Sequence, residues 1–220
     1  MFTETASGHI FQQDSLTVFF GKKLGTLDHL KQEYPSVQFC TLNQYHSDIC
    51  VSAKTGAEQR ADAHFTFDRN LGLAIKTADC VPLFFYCPTT DTILGIHAGW
   101  RGLQQEIIKK SLDTAYKYSN KSKIQVWIGP FIHTLNYEFK ESELRLLKDV
   151  SPKTYYIENQ GKTYLDLKAI VSHQLKTCGL SEANCHYLDI DTFSSLDHYS
   201  YREGKEQDQR LYHFIVNRRG

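Results

Sequence analysis

Two apolar runs that break off into small and polar residues constrain this chain more than any other feature. Leu71 to Lys76 (LGLAIK) and Val81 to Tyr86 (VPLFFY) have the leucine, β-branched and aromatic content of buried strands, with Thr77-Ala-Asp-Cys80 between them. Thr92 to Ile96 (TILGI) is a further run of this kind and leads into His97-Ala-Gly-Trp-Arg-Gly102. Strand ends are where open sheets present reactive groups to a cleft, so a thiol and an imidazole placed there suggest chemistry. Gly99 and Gly102 let the backbone approach a ligand. A helix opening at that point, beside Arg101, reads as an anion seat.

The remaining pattern is rich in strands. Residues 8–13 and 16–20 read as two short strands joined by a turn, and Thr26 suits the N-cap of a helix that stops before Pro35. Strand-like segments follow near 36–42, 48–53 and 62–67. A helix over about 103–118 would carry Leu103, Ile107, Leu112 and Ala115 on its apolar stripe. Lys123 to Ile128 alternates like a strand, and a second helix is expected near 141–149. The best-defined helix is capped by Asp166, buries Leu167, Ile170, Val171, Leu175 and Cys178, and stops at Gly179. Strands near 184–189 and 210–217 close the chain. Strands outnumber helices without simple alternation, which predicts an α+β fold with sheets packed together and helices outside. No repeat or linker divides the sequence, so residues 1–220 are expected to form a single domain.

Lys plus Arg and Asp plus Glu are balanced at 25 each, which argues against nucleic acid or an acidic membrane as partner. A small anion can still bind in a local basic pocket. The first residues lack the basic and apolar regions of a signal peptide, and no apolar run approaches the ~18–20 residues that span a bilayer. The chain therefore reads as cytoplasmic. Its six cysteines, Cys40, Cys50, Cys80, Cys87, Cys178 and Cys185, contain no CxxC pair and read as reduced thiols. Cys80 stands apart because it follows Asp79 at a strand break.

Each singled-out residue has a plainer reading. His46, alone after an apolar segment, reads ordinarily as a partly buried histidine with a satisfied hydrogen bond, and Cys80 as a buried thiol. Asp62 and Asp79 suit turns or caps. Trp100 fits a core position as well as a substrate wall, and Arg202 fits an ion pair near the C-terminal strand.

A series of blocks nevertheless resembles, in order, the YfiH-like, laccase-domain family of purine nucleoside phosphorylases, long labelled polyphenol oxidases. Gln44-Tyr-His46-Ser and Ala61-Asp62-Ala63 resemble its early segments. Thr77-Ala-Asp-Cys80-Val-Pro and His97-Ala-Gly-Trp-Arg-Gly102 match its two most specific motifs. Ile128-Gly-Pro130, Tyr137-Glu138, Tyr164-Leu-Asp-Leu167 and Tyr199-Ser-Tyr-Arg202 match its later blocks. The resemblance implies a layered α/β/β/α sandwich, similar also to the catalytic domain of cytotoxic necrotizing factor toxins. It implies one metal, usually zinc, held by His46, Cys80 and His97; sequence spacing alone does not group these three.

Three protein ligands leave a zinc ion an open position, the arrangement of a catalytic site. The implied reaction is phosphorolysis of adenosine, inosine or methylthioadenosine to free base and ribose 1-phosphate, with adenosine deamination as a further activity. On this resemblance Arg101, with Gly99, Trp100 and Gly102, is a candidate for holding phosphate or ribose oxygens. Asp62 is a candidate for proton transfer or for orienting a ligand. Asp79 is a candidate for supporting the ligands from behind, and Gln44 for substrate contact.

The chain departs from the family in two places. Where members carry Phe-Ser-Thr-Arg-x-Gly-Gly, it reads Phe19-Phe20-Gly21-Lys22-Lys23-Leu24-Gly25, and lysine does not reproduce arginine's bidentate fork. Where members often carry Asp-x-Cys-Thr, it has Asp189-Ile-Asp191-Thr192. Two rival chemistries remain open. A copper-dependent polyphenol oxidoreductase is one, although the ten histidines form no His-x-His pair and Met1 is the only methionine; copper is nonetheless an alternative occupant of the same ligands. A hydrolase using Cys80 as nucleophile and His97 as base is the other.

Overall fold

The computed structural model describes residues 1–56, 58–117, 123–140 and 156–218. The helix expected near 141–149 lies outside these residues. One sheet has the order β1 (Thr3–Glu4), β2 (Gly8–Gln13), β3 (Leu16–Gly21), β15 (Leu211–Asn217), β7 (Leu71–Thr77) and β4 (Gln38–Cys40). The second has the order β14 (Cys185–Tyr187), β10 (Gln125–Ile128), β8 (Val81–Cys87), β9 (Thr92–Ala98), β6 (Ala63–Thr66) and β5 (Cys50–Ser52). A small sheet of β11 (Glu138–Phe139), β13 (Lys162–Leu165) and β12 (Tyr156–Asn159) flanks them. The helices are α1 (Leu27–Glu33), α2 (Trp100–Gln104), α3 (Ile107–Ala115) and α4 (Leu167–Thr177).

Side-chain alternation stacks these elements in layers, because successive residues of a strand face opposite ways. Val18 and Phe20 of β3, Leu73 and Ile75 of β7 and Ile215 of β15 point into a core shared with Phe84, Ile93 and Trp127 of the second sheet. The residues between them, Phe19, Ala74, Phe214 and Val216, turn outward and pack under Leu30 of α1. On the second sheet Leu83, Phe85, Leu94 and Ile96 face outward onto Leu103, Ile107, Leu112 and the α4 residues Ile170 and Leu175. The result is the layered α/β/β/α sandwich. Each large side chain buried completely between the sheets contributes about 1.5–3 kcal/mol by area.

Within the described residues the expected elements appear with shifted bounds, and one expectation is corrected. The helix expected as a single segment over 103–118 is two helices, of which the first already begins at Trp100. Glu106 takes left-handed backbone angles (φ 60°, ψ 38°) and interrupts the helical hydrogen-bond ladder between them. Its stripe survives the break, since Leu103, Ile107, Leu112 and Ala115 are all buried. Thr26 and Asp166 cap α1 and α4 as expected, accepting from the backbone N–H groups of His29 and Ala169. The β12–β13 hairpin was not anticipated; it turns at Gln160 and Gly161, both with positive φ. Among the described residues no helix is long and apolar enough to cross a membrane.

Two connections prepare the site. Ala78 to Cys80 carry the chain from the end of β7 in one sheet to the start of β8 in the other. The β8–β9 register pairs Val81 with Ala98 and Pro82 with His97, so Cys80 and Gly99 meet just beyond the paired ends.

Candidate metal centre

Strand register positions the first candidate ligand, His97. The β6–β9 pairing sets Ala63 opposite Ile96, so Asp62 falls beside His97. The His97 N–H donates to the Asp62 carbonyl at 2.8 Å, and the side chains meet again where His97 Nδ1 lies 2.8 Å from Asp62 Oδ1. His46 arrives from the loop between β4 and β5, and Asp62 holds that loop too. Its carboxylate accepts from the backbone N–H of Tyr45 (3.2 Å), His46 (3.0 Å) and Ser47 (2.7 Å), and from Ser47 Oγ (2.7 Å). These donors let His46 keep a left-handed φ of 66°. Gln44 ties the same loop to β7: its amide nitrogen donates to the Lys76 carbonyl at 2.7 Å, and its amide oxygen accepts from the Lys76 N–H at 2.8 Å.

The ligand atoms of His46, Cys80 and His97 all lie within 4.8 Å of one another, and Cys80 Sγ is 3.8 Å from His46 Nε2. The two imidazoles meet edge to face, with centroids 4.9 Å apart. Three atoms so spaced share a centre about 2.8 Å or less from each, against ~2.0–2.3 Å for zinc bonds to nitrogen and sulfur. Closing the set by about half an ångström completes it. The space is also shaped for these groups. A Cβ at Gly99 would stand 2.8 Å from His46 Cδ2 and 3.0 Å from Cys80 Sγ, and one at Gly102 would stand 2.9 Å from the Ser47 carbonyl oxygen. The residues present therefore fit a metal ion.

The electrostatics favour ligation. Burial alone would raise the Asp62 carboxyl, but the hydrogen bonds from His97 and Ser47 outweigh it and hold it down at about 2. Burial likewise opposes a Cys80 thiolate, yet the flanking His97 and His46 bring its pKa below the ordinary thiol range. Against the burial of its own ring, the Cys80 thiolate and Asp62 raise His97. Each group thus favours the charged form of the other, a thiolate on Cys80 and a proton on His97. A cation taking the His97 Nε2 lone pair releases that proton, while Asp62 fixes the tautomer from the other side of the ring.

Residues 27–218 match the family described as multi-copper polyphenol oxidoreductase laccase. The chain belongs to this family, the YfiH-like laccase-domain proteins. It is 31% identical over 187 residues to a purine nucleoside phosphorylase of Clostridium acetobutylicum, covering 80% of this chain and 76% of that one. It is 32% identical over 175 residues to a purine nucleoside phosphorylase of Staphylococcus epidermidis, covering 77% of this chain and 65% of that one. The crystal structure of YlmD from Geobacillus stearothermophilus superimposes with a TM-score of 0.85 at 20% identity, covering 99% of both chains.

In this laccase-domain protein most of the other expected site residues flank Cys80 and His97 in the chain. Gly99 caps α2 in an extended conformation, and α2 is only five residues long. Trp100 is buried and packs edge-on against Phe139, at 5.5 Å between centroids. The Arg101 guanidinium is exposed and lies 4.4 Å above the Trp100 ring. Asp79 has a φ of 82°, and its carboxylate is bound by the C-terminal loop. It accepts from Thr192 Oγ1 and the Arg202 N–H, both at 2.7 Å, and from Ser200. Burial nevertheless raises its carboxyl above the ordinary range.

Lys22 and Lys23, the departures from the family pattern, are committed to carboxylates. Lys22 pairs with Glu4 at 2.5 Å and Asp197 at 3.2 Å, and Lys23 with Glu206 at 2.6 Å. Asp191, where members often have cysteine, accepts from the His133 N–H, Asn136 Nδ2, Ser194 Oγ and the Phe193 N–H. Its role is to join two loops. Sequence reasoning missed Ser47, Thr192 and Ser200 as supports of the two aspartates, although Ser47 and Ser200 each lay within a recognised block.

Proposed function

We propose that this protein is a zinc-dependent purine nucleoside phosphorylase that converts a purine nucleoside and inorganic phosphate to free base and ribose 1-phosphate. The observation that carries the reading is the ligand set of His46, Cys80 and His97, with His97 Nδ1 held by Asp62. The relatives named purine nucleoside phosphorylase supply the reaction class. In the reaction a phosphate oxygen bonds to the anomeric carbon and the N-glycosidic bond breaks. The electron pair goes to the purine, which takes up a proton.

Zinc, when bound, supplies Lewis-acid charge at an open coordination position. The chain's own residues supply the rest. Asp62 keeps the proton of His97 on Nδ1 and fixes the backbone of His46, so both imidazoles present Nε2 to one point. Arg101 contacts the anion, as a charge-assisted donor with a planar fork. Trp100 walls the site, and Gly99 keeps the space beside Cys80 clear. We assign adenosine deamination to the same centre as a second activity, and read the setting as cytoplasmic, in keeping with six free thiols.

A multicopper oxidase reading has less support. All ten histidines lie among the described residues, and only His46 and His97 fall in a cluster of three donors there. The test is product analysis of zinc-loaded protein with adenosine, with and without phosphate. Adenine with ribose 1-phosphate only when phosphate is present supports phosphorolysis, and inosine in both samples supports deamination. Unchanged nucleosides across adenosine, inosine and methylthioadenosine sink the proposal. Rapid inactivation by an alkylating agent without metal loss points instead to Cys80 as a nucleophile.

A further inference from the structure

A chain of contacts leaves Cys80 through Asp79, returns to it through Gly99, and carries two arginines. From Cys80 it passes to Asp79, whose carboxylate accepts from the Arg202 N–H at 2.7 Å. The Arg202 guanidinium lies 4.8 Å over the Tyr137 ring. Tyr137 meets Phe139 edge-on at 5.1 Å, and Phe139 meets Trp100 at 5.5 Å. Trp100 follows Gly99, where an added Cβ would stand 3.0 Å from Cys80 Sγ, and this closes the circuit. Arg101 stands on this rim over Trp100, and Arg202 stands on it over Tyr137.

We propose that Arg202 is a second phosphate contact, forming with Arg101 a two-arginine rim that holds inorganic phosphate at the metal centre. This rests on the reading of the protein as a phosphorylase in taking phosphate as co-substrate. Both guanidiniums are exposed, and neither makes an ion pair with a described carboxylate. The acidic residues nearest Arg202 in the chain and on β11 are engaged elsewhere, Glu203 with Lys205 and Glu138 with Lys162 at 2.7 Å. The Arg202 fork is oriented by stacking and by donation from Nη1 to the Glu138 carbonyl, which leaves its other N–H groups for a ligand. Stacking holds a guanidinium in place without neutralising it, and a planar fork matches a phosphate edge. Lys22 and Lys23 stand where family members carry an arginine, but both are paired with carboxylates. The rim therefore supplies cations that the N-terminal segment does not.

The test is titration of the full-length, zinc-loaded protein with inorganic phosphate, adenosine monophosphate and adenosine, by calorimetry. The variants are Arg202→Ala, Arg202→Lys and Arg101→Ala. Arg69→Ala is the control, since Arg69 is bound to Asp91 near the β8–β9 turn, at the opposite ends of those strands from Cys80 and His97. Loss of a charge-assisted contact should weaken phosphate binding by about 10- to 100-fold in Arg202→Ala and leave adenosine within about twofold. Arg202→Lys should restore only part of the loss. Unaltered phosphate affinity in Arg202→Ala overturns the proposal. Equal losses for phosphate and adenosine also overturn it, by making Arg202 a structural residue. So does binding of adenosine monophosphate without inorganic phosphate. Phosphate binding that depends on Arg202 in a protein that turns over no nucleoside keeps this assignment and removes the phosphorylase reading instead.

Discussion

Replacing Gly99 with alanine adds one methyl group and tests how closely the metal centre is shaped. Gly99 has a φ of −77° and a ψ of 164°, angles that alanine adopts without strain, so any effect comes from the new Cβ. That atom would lie 2.8 Å from His46 Cδ2 and 3.0 Å from Cys80 Sγ. Ordinary contact is about 3.5–4.0 Å, so both ligands must retreat by about half an ångström or more. Metal–ligand distances tolerate only about 0.2 Å. Gly99→Ala should therefore lower zinc affinity by about 10- to 100-fold, the range seen when the groups supporting a ligand are disturbed. That corresponds to about 1.4–2.7 kcal/mol. Competition against a chromogenic chelator measures it. Thermal unfolding in the presence of a stronger chelator should show the metal-free fold nearly unchanged. Zinc affinity within twofold of the unsubstituted protein would refute the reasoning.

Three further outcomes are expected. Asp62→Asn removes one of two acceptor oxygens from a carboxylate with five donors, so zinc affinity should fall by about 10- to 100-fold, read by the same competition. His64 is fully buried with neither ring nitrogen bonded, and burial lowers its pKa to about 3. The unfolded chain therefore takes up a proton below about pH 6.5 that the folded chain refuses, and stability falls as pH drops through that window, by ~3 kcal/mol between pH 7 and pH 4. His64→Leu should remove this dependence, so denaturant unfolding of the two proteins should diverge by about that amount toward pH 4; parallel profiles would contradict it. Asp79→Ala strips the C-terminal loop of three hydrogen bonds and should cost about 2–4 kcal/mol, with faster hydrogen exchange at the Arg202 N–H.

The sheets were legible because their strands are long and their faces differ. β7, β8 and β9 each place inward and outward residues by alternation, and their ends put Cys80 and His97 at one edge of the sandwich. His46 was not legible from local pattern. Its place depends on a left-handed backbone held by Asp62, 16 residues away, and only the family resemblance named it. The break at Glu106 left no sign either, because a glutamate rather than glycine or asparagine occupies the left-handed position. Tyr156–Asn159 shows no buried alternation, since its residues are exposed or half-buried on a small sheet. Asp62 and Asp79 were singled out as candidates, and the structure shows each one bound to a loop. Which loop each one binds is a tertiary fact that composition does not carry.

The central claim joins the metal to the reaction, and a reconstitution titration tests it most directly. Protein stripped by a chelator is supplied with increasing zinc, and phosphate-dependent release of free base is measured at each step, beside Cys80→Ala. Activity should rise in proportion to zinc, level off at one equivalent per chain, and stay flat in Cys80→Ala. Undiminished activity in the stripped protein, or in Cys80→Ala without bound metal, would contradict the account.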